Sequence, residues 1–200
     1  LTDDQKRAVQ QFLNFYNAGA GKDTFVMTGS AGTGKTLLIS LFSTFFKNHQ
    51  HFLMCASPER YLKKENETII SQPIKGTNKR IVYDDALNAQ QQIQLQQNPK
   101  ERAENIMIVD LVRNDLSRIC TIGSVKVKEL VQPYAFPQVN HLISTITGVL
   151  EDNTSFSTIM KALFPMGSMT GAPKKKVMEL TEKYERSKRG LYSGTIGYIT

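Results

Sequence analysis

Apolar positions recur along this chain with two periods, and each change of period marks an element. Ala8, Val9, Phe12, Leu13 and Tyr16 repeat at helical spacing behind a capping box of Thr2 and Gln5, so a helix is predicted up to Gly19-Ala20-Gly21. A β-prone run, Thr24 to Thr28, follows, then the glycine-rich Gly29 to Thr36, then an apolar helix over about Leu37 to Phe46. From His51 the pattern turns to Phe52 to Ala56 and Thr68 to Ile70, two strands of a predicted hairpin around the charged turn Lys63 to Glu67. The segment from Tyr83 to Gln97 holds good helix formers with a glutamine-rich, solvated face. Asn98-Pro99-Lys100-Glu101 supplies an N-cap, a first-turn proline and a capping glutamate, so a helix is predicted to about Leu116. Alternation at Val125 and Val127, and at Leu142, Ser144 and Ile146, predicts two further strands, the second ending at Gly148. Phe156 to Phe164 and Lys174 to Arg186 read as helices separated by Pro165 to Pro173.

Composition narrows the class. No apolar run approaches the roughly 18 residues that a membrane span needs, and the N-terminus lacks a basic segment followed by an apolar one, so a cytoplasmic protein is expected. Cys55 and Cys120 lie far apart without CxxC spacing, which argues against a disulfide framework or a zinc site. A net charge of +7 favours anionic partners, whether nucleic acid, nucleotides or dicarboxylate metabolites, and does not choose among them.

The first candidate chemistry is a phosphate loop. Gly29 to Thr36 matches GxxxxGK[ST] between a predicted strand and a predicted helix. Gly29, Gly32 and Gly34 would let backbone N–H groups close around phosphate oxygens, Lys35 would reach the β and γ phosphates, and Thr36 would ligate magnesium. The plain alternative is a glycine-rich turn. With Gln5 upstream as an adenine-reading residue, residues 1–48 resemble the opening of a RecD-type superfamily 1 DNA helicase, which implies ATP and nucleic acid as ligands. Such a helicase also needs an acidic strand that ends in Asp-Glu. The closest run, Ile106 to Asp110, is followed by Leu111 and lies inside the helix begun at Pro99, so ATP turnover is expected to be negligible.

A second constellation begins after residue 51. In order come Ser57-Pro58-Glu59-Arg60, Pro73-Ile74-Lys75-Gly76-Thr77, Arg102-Ala103-Glu104-Asn105 with Val109 to Asp115, Gly167 to Lys174, and Gly190 to Tyr198. These five blocks resemble aminodeoxychorismate synthases, chorismate-utilising enzymes related to anthranilate synthase component I. The resemblance implies conversion of chorismate and ammonia to 4-amino-4-deoxychorismate, with magnesium as cofactor and a glutaminase subunit as ammonia source. It implies Lys75 as nucleophile, since anthranilate synthases usually carry alanine there, and anthranilate formation is the neighbouring alternative. It implies Glu59 as general acid/base and Glu104 as magnesium ligand. Gly76, Thr77, His141, Thr170, Gly171 and Tyr192 match positions lining the substrate pocket. Each also has an ordinary reading: a surface lysine in a turn, a solvated glutamate, a helix-surface glutamate favoured by the dipole, a structural strand histidine. Gly167, Gly171 and Ala172 are expected to keep side chains away from a bound anion. Asp110, Arg113, Asn114 and Asp115 are expected to form a buried polar network behind the site.

The fold expected from these parts is α+β: residues 51–200 as a partial chorismate-binding domain of antiparallel strands under helices, and residues 1–50 as a helix, strand, phosphate-loop and helix unit. A single strand makes no sheet of its own, so that unit is expected to dock elsewhere or fold loosely. The resemblance also implies an arginine-bearing strand and a second magnesium-binding glutamate beyond Thr200, so the chain by itself is expected to be a poor enzyme.

Overall fold

Eleven residues of mixed apolar and small polar character, Val139–Val149, form the strand around which the sheet is built. The structure is a computed structural model and describes residues 10, 59–190, 192–197 and 199. The chain divides into two units, residues 1–58 with 136–138, and residues 59–135 with 139–200. In the first, Gln10 is helical and exposed. The helix, strand and phosphate-loop elements expected over residues 1–50, and the strand expected at Phe52 to Ala56, lie outside the described residues.

The second unit runs β1 (Arg60–Glu65), β2 (Thr68–Gln72), β3 (Ile74–Lys79), α1 (Asp85–Gln97), α2 (Pro99–Leu116), β4 (Lys126–Ala135), β5 (Val139–Val149), α3 (Phe156–Leu163), α4 (Gly167–Thr170) and α5 (Lys174–Tyr184). All strand pairs are antiparallel. β2 and β3 follow one another along one edge of β5, from Thr68↔Val149 to Ser71↔Ile146 and from Ile74↔Ile143 to Lys79↔Val139. β4 takes the other edge, from Lys126↔Thr147 to Ala135↔Asn140, and β1 closes the sheet beyond β2. This is the α+β arrangement that the sequence predicts.

The charged run read as a turn is strand. Lys63, Lys64 and Glu65 belong to β1, and the chain reverses over Asn66-Glu67, with Asn66 in the left-handed region at φ 54°. β1 is an edge strand, so its charged side chains can stand in solvent while the backbone pairs on one side only, and Lys63 and Glu65 form a surface ion pair.

The helices are set by local caps. Asp84 Oδ1 accepts the Leu87 N–H at 2.9 Å, and Asn98 Oδ1 accepts those of Lys100 and Glu101 at 3.0 and 3.2 Å. Ile106 to Asp110 is accordingly helical, inside α2. α2, α3, β2 and β5 share a core of Ile69, Val109, Leu116, Ile146, Ile159 and Leu163, each contributing about 1.5–3 kcal/mol by burial. Leu95, Val131 and Leu142 form a second cluster beneath α1. α4 lies close against α2: a Cβ at Gly167 would stand 2.5 Å from Leu111 Cδ2, so packing rather than anion access requires glycine there. No described helix is long and apolar enough to cross a membrane.

Candidate functional site

A break in the β3–β5 ladder carries the predicted nucleophile. Pairing passes from Ile74↔Ile143 to Thr77↔His141, so Lys75 and Gly76 together face Leu142 alone. That two-against-one count is a β-bulge, and Gly76 takes the left-handed conformation it needs, at φ 99°. A Cβ on Gly76 would meet Leu142 Cδ1 at 2.8 Å and Glu101 Oε2 at 3.3 Å. The backbone of the bulge is held from the helix layer: Asn105 Nδ2, on α2, donates to the Lys75 carbonyl at 3.1 Å and to the Leu142 carbonyl at 3.3 Å.

Glu59 stands beside this bulge. Ser168 Oγ, in α4, donates to Glu59 Oε1 at 2.6 Å, and the Ile74 backbone, one residue before Lys75, also bonds to the carboxylate. Burial raises the Glu59 carboxyl above its ordinary pKa, against the opposing pull of Ser168, Ile74 and, least, the Lys75 charge. Desolvation therefore wins, and the group keeps its proton to higher pH than a solvated glutamate. A small pocket of about 20 Å³ opens here, with Glu59, Tyr61, Ser71, Ser168, Asp115 and Lys174 among its lining residues. Tyr61 has its hydroxyl pKa raised by burial and then by the Asp115 charge.

Thr77 and His141, predicted for the same pocket, are register partners, with Thr77 Oγ1 and His141 Nδ1 2.8 Å apart. His141 is 6% exposed, and burial lowers its pKa against an opposing hydrogen bond to the Gly76 backbone, so the ring is favoured in its neutral form. The structure thus brings Glu59, Lys75, Gly76, Thr77 and His141 together around one short stretch of β3.

The polar group on α2 differs from its expectation. Asp115 is buried and pairs with Lys174, which also donates to the Leu163 carbonyl at 2.7 Å. Asp110 and Arg113 instead form a surface pair at 3.1 Å, and Asn114 is exposed. The reason is helical phase. Asn105, Ile108, Asp115 and Leu116 are buried along one face of α2, and positions 110, 113 and 114 fall on the other. Sequence reasoning gives no site role to Lys174, Ser168 or Asn105, and reads Glu101 only as a helix cap; Ser168 and Lys174 fall within the Gly167 to Lys174 block and Asn105 within the Arg102 to Asn105 block, and that is the signal the sequence offers for them.

The other predicted residues have different surroundings. Thr170 Oγ1 bonds the Met166 carbonyl at 3.0 Å, and Gly171 caps α4 at φ 84°, where an added Cβ would meet nothing within 4 Å. Tyr192 is 71% exposed. Glu104 is partly exposed on α2, with its nearest cation, Lys100, 4.0 Å away. Among the described residues no three His, Cys, Asp or Glu groups stand together to hold a metal ion. Gln5, Gly29, Gly32, Gly34, Lys35 and Thr36, with the ATP reading they carry, lie outside the described residues.

Known proteins resemble this chain in sequence and in fold. The chain is 45% identical over 159 residues to aminodeoxychorismate synthase component 1 of Salmonella typhimurium, covering 80% of this chain and 35% of that protein. It is 38% identical over 163 residues to aminodeoxychorismate synthase component 1 of Bacillus subtilis, covering 80% and 34%. The chain therefore spans about a third of the length of these curated relatives. Anthranilate synthase component I from Streptococcus pneumoniae shares the fold, with a TM-score of 0.63 at 22% identity over 99% of this chain and 55% of that one. The family described as chorismate binding enzyme matches residues 39–200, and the chain belongs to that family.

Proposed function

We propose that this chain carries the reaction centre of an aminodeoxychorismate synthase, which turns chorismate and ammonia into 4-amino-4-deoxychorismate. The observation that carries the reading is the juxtaposition of Lys75, on a glycine-supported bulge, with a half-buried Glu59 that is tied to Ile74 and Ser168 and whose carboxyl pKa desolvation raises. In its uncharged form the Lys75 amine attacks C2 of the chorismate ring. Both ring double bonds move over by one bond, C1=C2 to C1=C6 and C5=C6 to C4=C5, the C4–O bond breaks, and Glu59 gives its proton to the departing hydroxyl, which leaves as water. Ammonia then forms a bond to C4, both double bonds return, the C2–N bond to Lys75 breaks and restores the free amine, and the new C4 ammonium returns a proton to Glu59. His141, tied to Thr77 and Gly76 and with its pKa lowered by burial, buttresses β3 beside Lys75. Relatives named component 1 support a separate glutaminase partner as ammonia source. Family likeness implies magnesium, which would neutralise a chorismate carboxylate; Glu104 would help to hold it, and no step here passes through the metal.

The test is to trap the covalent stage. Purified chain incubated with chorismate and magnesium without ammonia should gain the mass of chorismate less water on the peptide containing Lys75, and added ammonium should discharge it as 4-amino-4-deoxychorismate. Lys75→Ala should show no adduct, and Glu59→Gln should slow its formation by about 10²–10⁴-fold. Formation of the 4-amino product by Lys75→Ala at the parent rate would refute the nucleophile. A 2-amino product from the parent chain would support the anthranilate reaction instead.

A further inference from the structure

We infer that Asn105 is a positioning residue for Lys75: its side-chain amide closes the bulge in β3 and so fixes the backbone from which the amine extends. This inference rests on the reading of Lys75 as nucleophile.

The bulge interrupts the ladder where Lys75 and Gly76 face Leu142, and the carbonyls of Lys75 and Leu142 turn to the helix layer. One amide nitrogen serves both. Asn105 is 1% exposed, so water is not at hand to replace it. The amide has only one orientation that satisfies its surroundings. Ser144 Oγ accepts the Val131 N–H at 2.8 Å, which leaves its own proton for Asn105 Oδ1 at 2.5 Å. With Oδ1 committed to Ser144, both Nδ2 protons point at the two carbonyls of the β3–β5 bulge. Val131 is itself at φ 52° where the β4–β5 register slips between Glu129 and Gln132. A single buried relay thus runs from the irregular stretch of β4, through Ser144 on β5 and Asn105 on α2, to the carbonyl of the proposed nucleophile.

A role confined to stability would leave the amine's surroundings unchanged in a folded variant, so the measurement reads Lys75 itself. Reductive methylation of the purified chain with ¹³C-formaldehyde labels its amines, and the Lys75 signal is identified by its loss in Lys75→Ala. Asn105→Asp keeps the size and the acceptor to Ser144 but sets a carboxylate oxygen against two carbonyls. In that variant the Lys75 signal should move and its methylation rate should change at least threefold, with the signals of Lys100 and Lys126 in place. With chorismate and ammonium, kcat for the 4-amino product should fall at least tenfold and KM should change less than twofold. Ser144→Ala, which removes only the hydroxyl that orients the amide, should move the same signal in the same direction and decides the matter if Asn105→Asp does not fold. A Lys75 signal and methylation rate identical to the parent in either folded variant would overturn the proposal. If Lys75→Ala keeps full 4-amino activity, the nucleophile reading fails separately, and the labelling result still reports whether Asn105 governs the Lys75 amine.

Discussion

Three glycines separate two costs that are usually confounded, and Gly76 carries both. Gly76→Ala places a side chain on a residue at φ 99° and drives its Cβ to 2.8 Å from Leu142 Cδ1 and 3.1 Å from Cγ. Left-handed backbone costs a non-glycine residue about 1–2 kcal/mol. Overpacking a filled interior adds about 1–3 kcal/mol, because Leu142 is fully buried and must leave its rotamer or push the strand. The expected destabilisation is therefore about 2–5 kcal/mol. Gly123→Ala isolates the first cost, since φ is 76° and nothing lies within 4 Å of the added carbon. Gly167→Ala isolates the second, with Leu111 Cδ2 at 2.5 Å and no left-handed backbone. Urea unfolding at one pH should place the Gly76 variant lowest, near the sum of the other two, since these sites share no partner. In a chain of this size each kcal/mol lowers the melting point by about 2–4 °C. If Gly76→Ala were no more harmful than Gly123→Ala, the bulge would be compliant and could not hold a nucleophile in place.

Asp115→Asn should cost about 3–5 kcal/mol in the same assay, because it leaves the largely buried Lys174 ammonium without its carboxylate, and pairing it with Lys174→Met should recover most of that loss. Thr77→Val removes the hydroxyl beside the buried His141 Nδ1 and should cost about 1–3 kcal/mol. Glu59 has a folded pKa above its unfolded value, so its contribution to stability is fully present below pH 4.5 and lost as the pH rises through the raised value. Glu59→Gln does not titrate, so unfolding measured across that range should show the parent losing stability relative to the variant as pH increases; parallel curves would contradict a buried carboxyl.

What is legible in the sequence is what is decided locally. α2 begins at Pro99 because Asn98 caps it and Glu101 favours its first turn, and those residues announce themselves within four positions. β1 reads as a turn because lysine and glutamate depress β propensity, whereas an edge strand tolerates them on its solvated side. The grouping of Glu59, Lys75, Thr77 and His141 is legible only through resemblance, since their meeting depends on β3 lying along β5 across more than sixty intervening residues. Asn105 falls within the Arg102 to Asn105 block, but nothing local states its task. It reads as a mediocre helix former on an amphipathic face, and its task emerges once the bulge has left two carbonyls beneath it. The same ambiguity hides the phase of the polar residues from Asp110 to Asp115, one of which is buried and three of which are not.

A nucleophilic lysine on a regular strand would share its backbone with a ladder that admits only one geometry, and its direction would alternate with its neighbours. The bulge removes that constraint at Lys75 but also removes the ladder's support, so position must come from elsewhere. The support comes from two sides. Gly76 lets Leu142 press directly against the backbone, and Asn105 takes the carbonyls that the ladder does not. Glu59 is tied to the start of β3 through the Ile74 backbone and to α4 through Ser168, so the proposed acid and the proposed nucleophile share one anchor. Residues that never approach a substrate, such as Ser144 and Val131, then act on chemistry through the placement of a single carbonyl, and substitutions there should alter turnover more than substrate affinity.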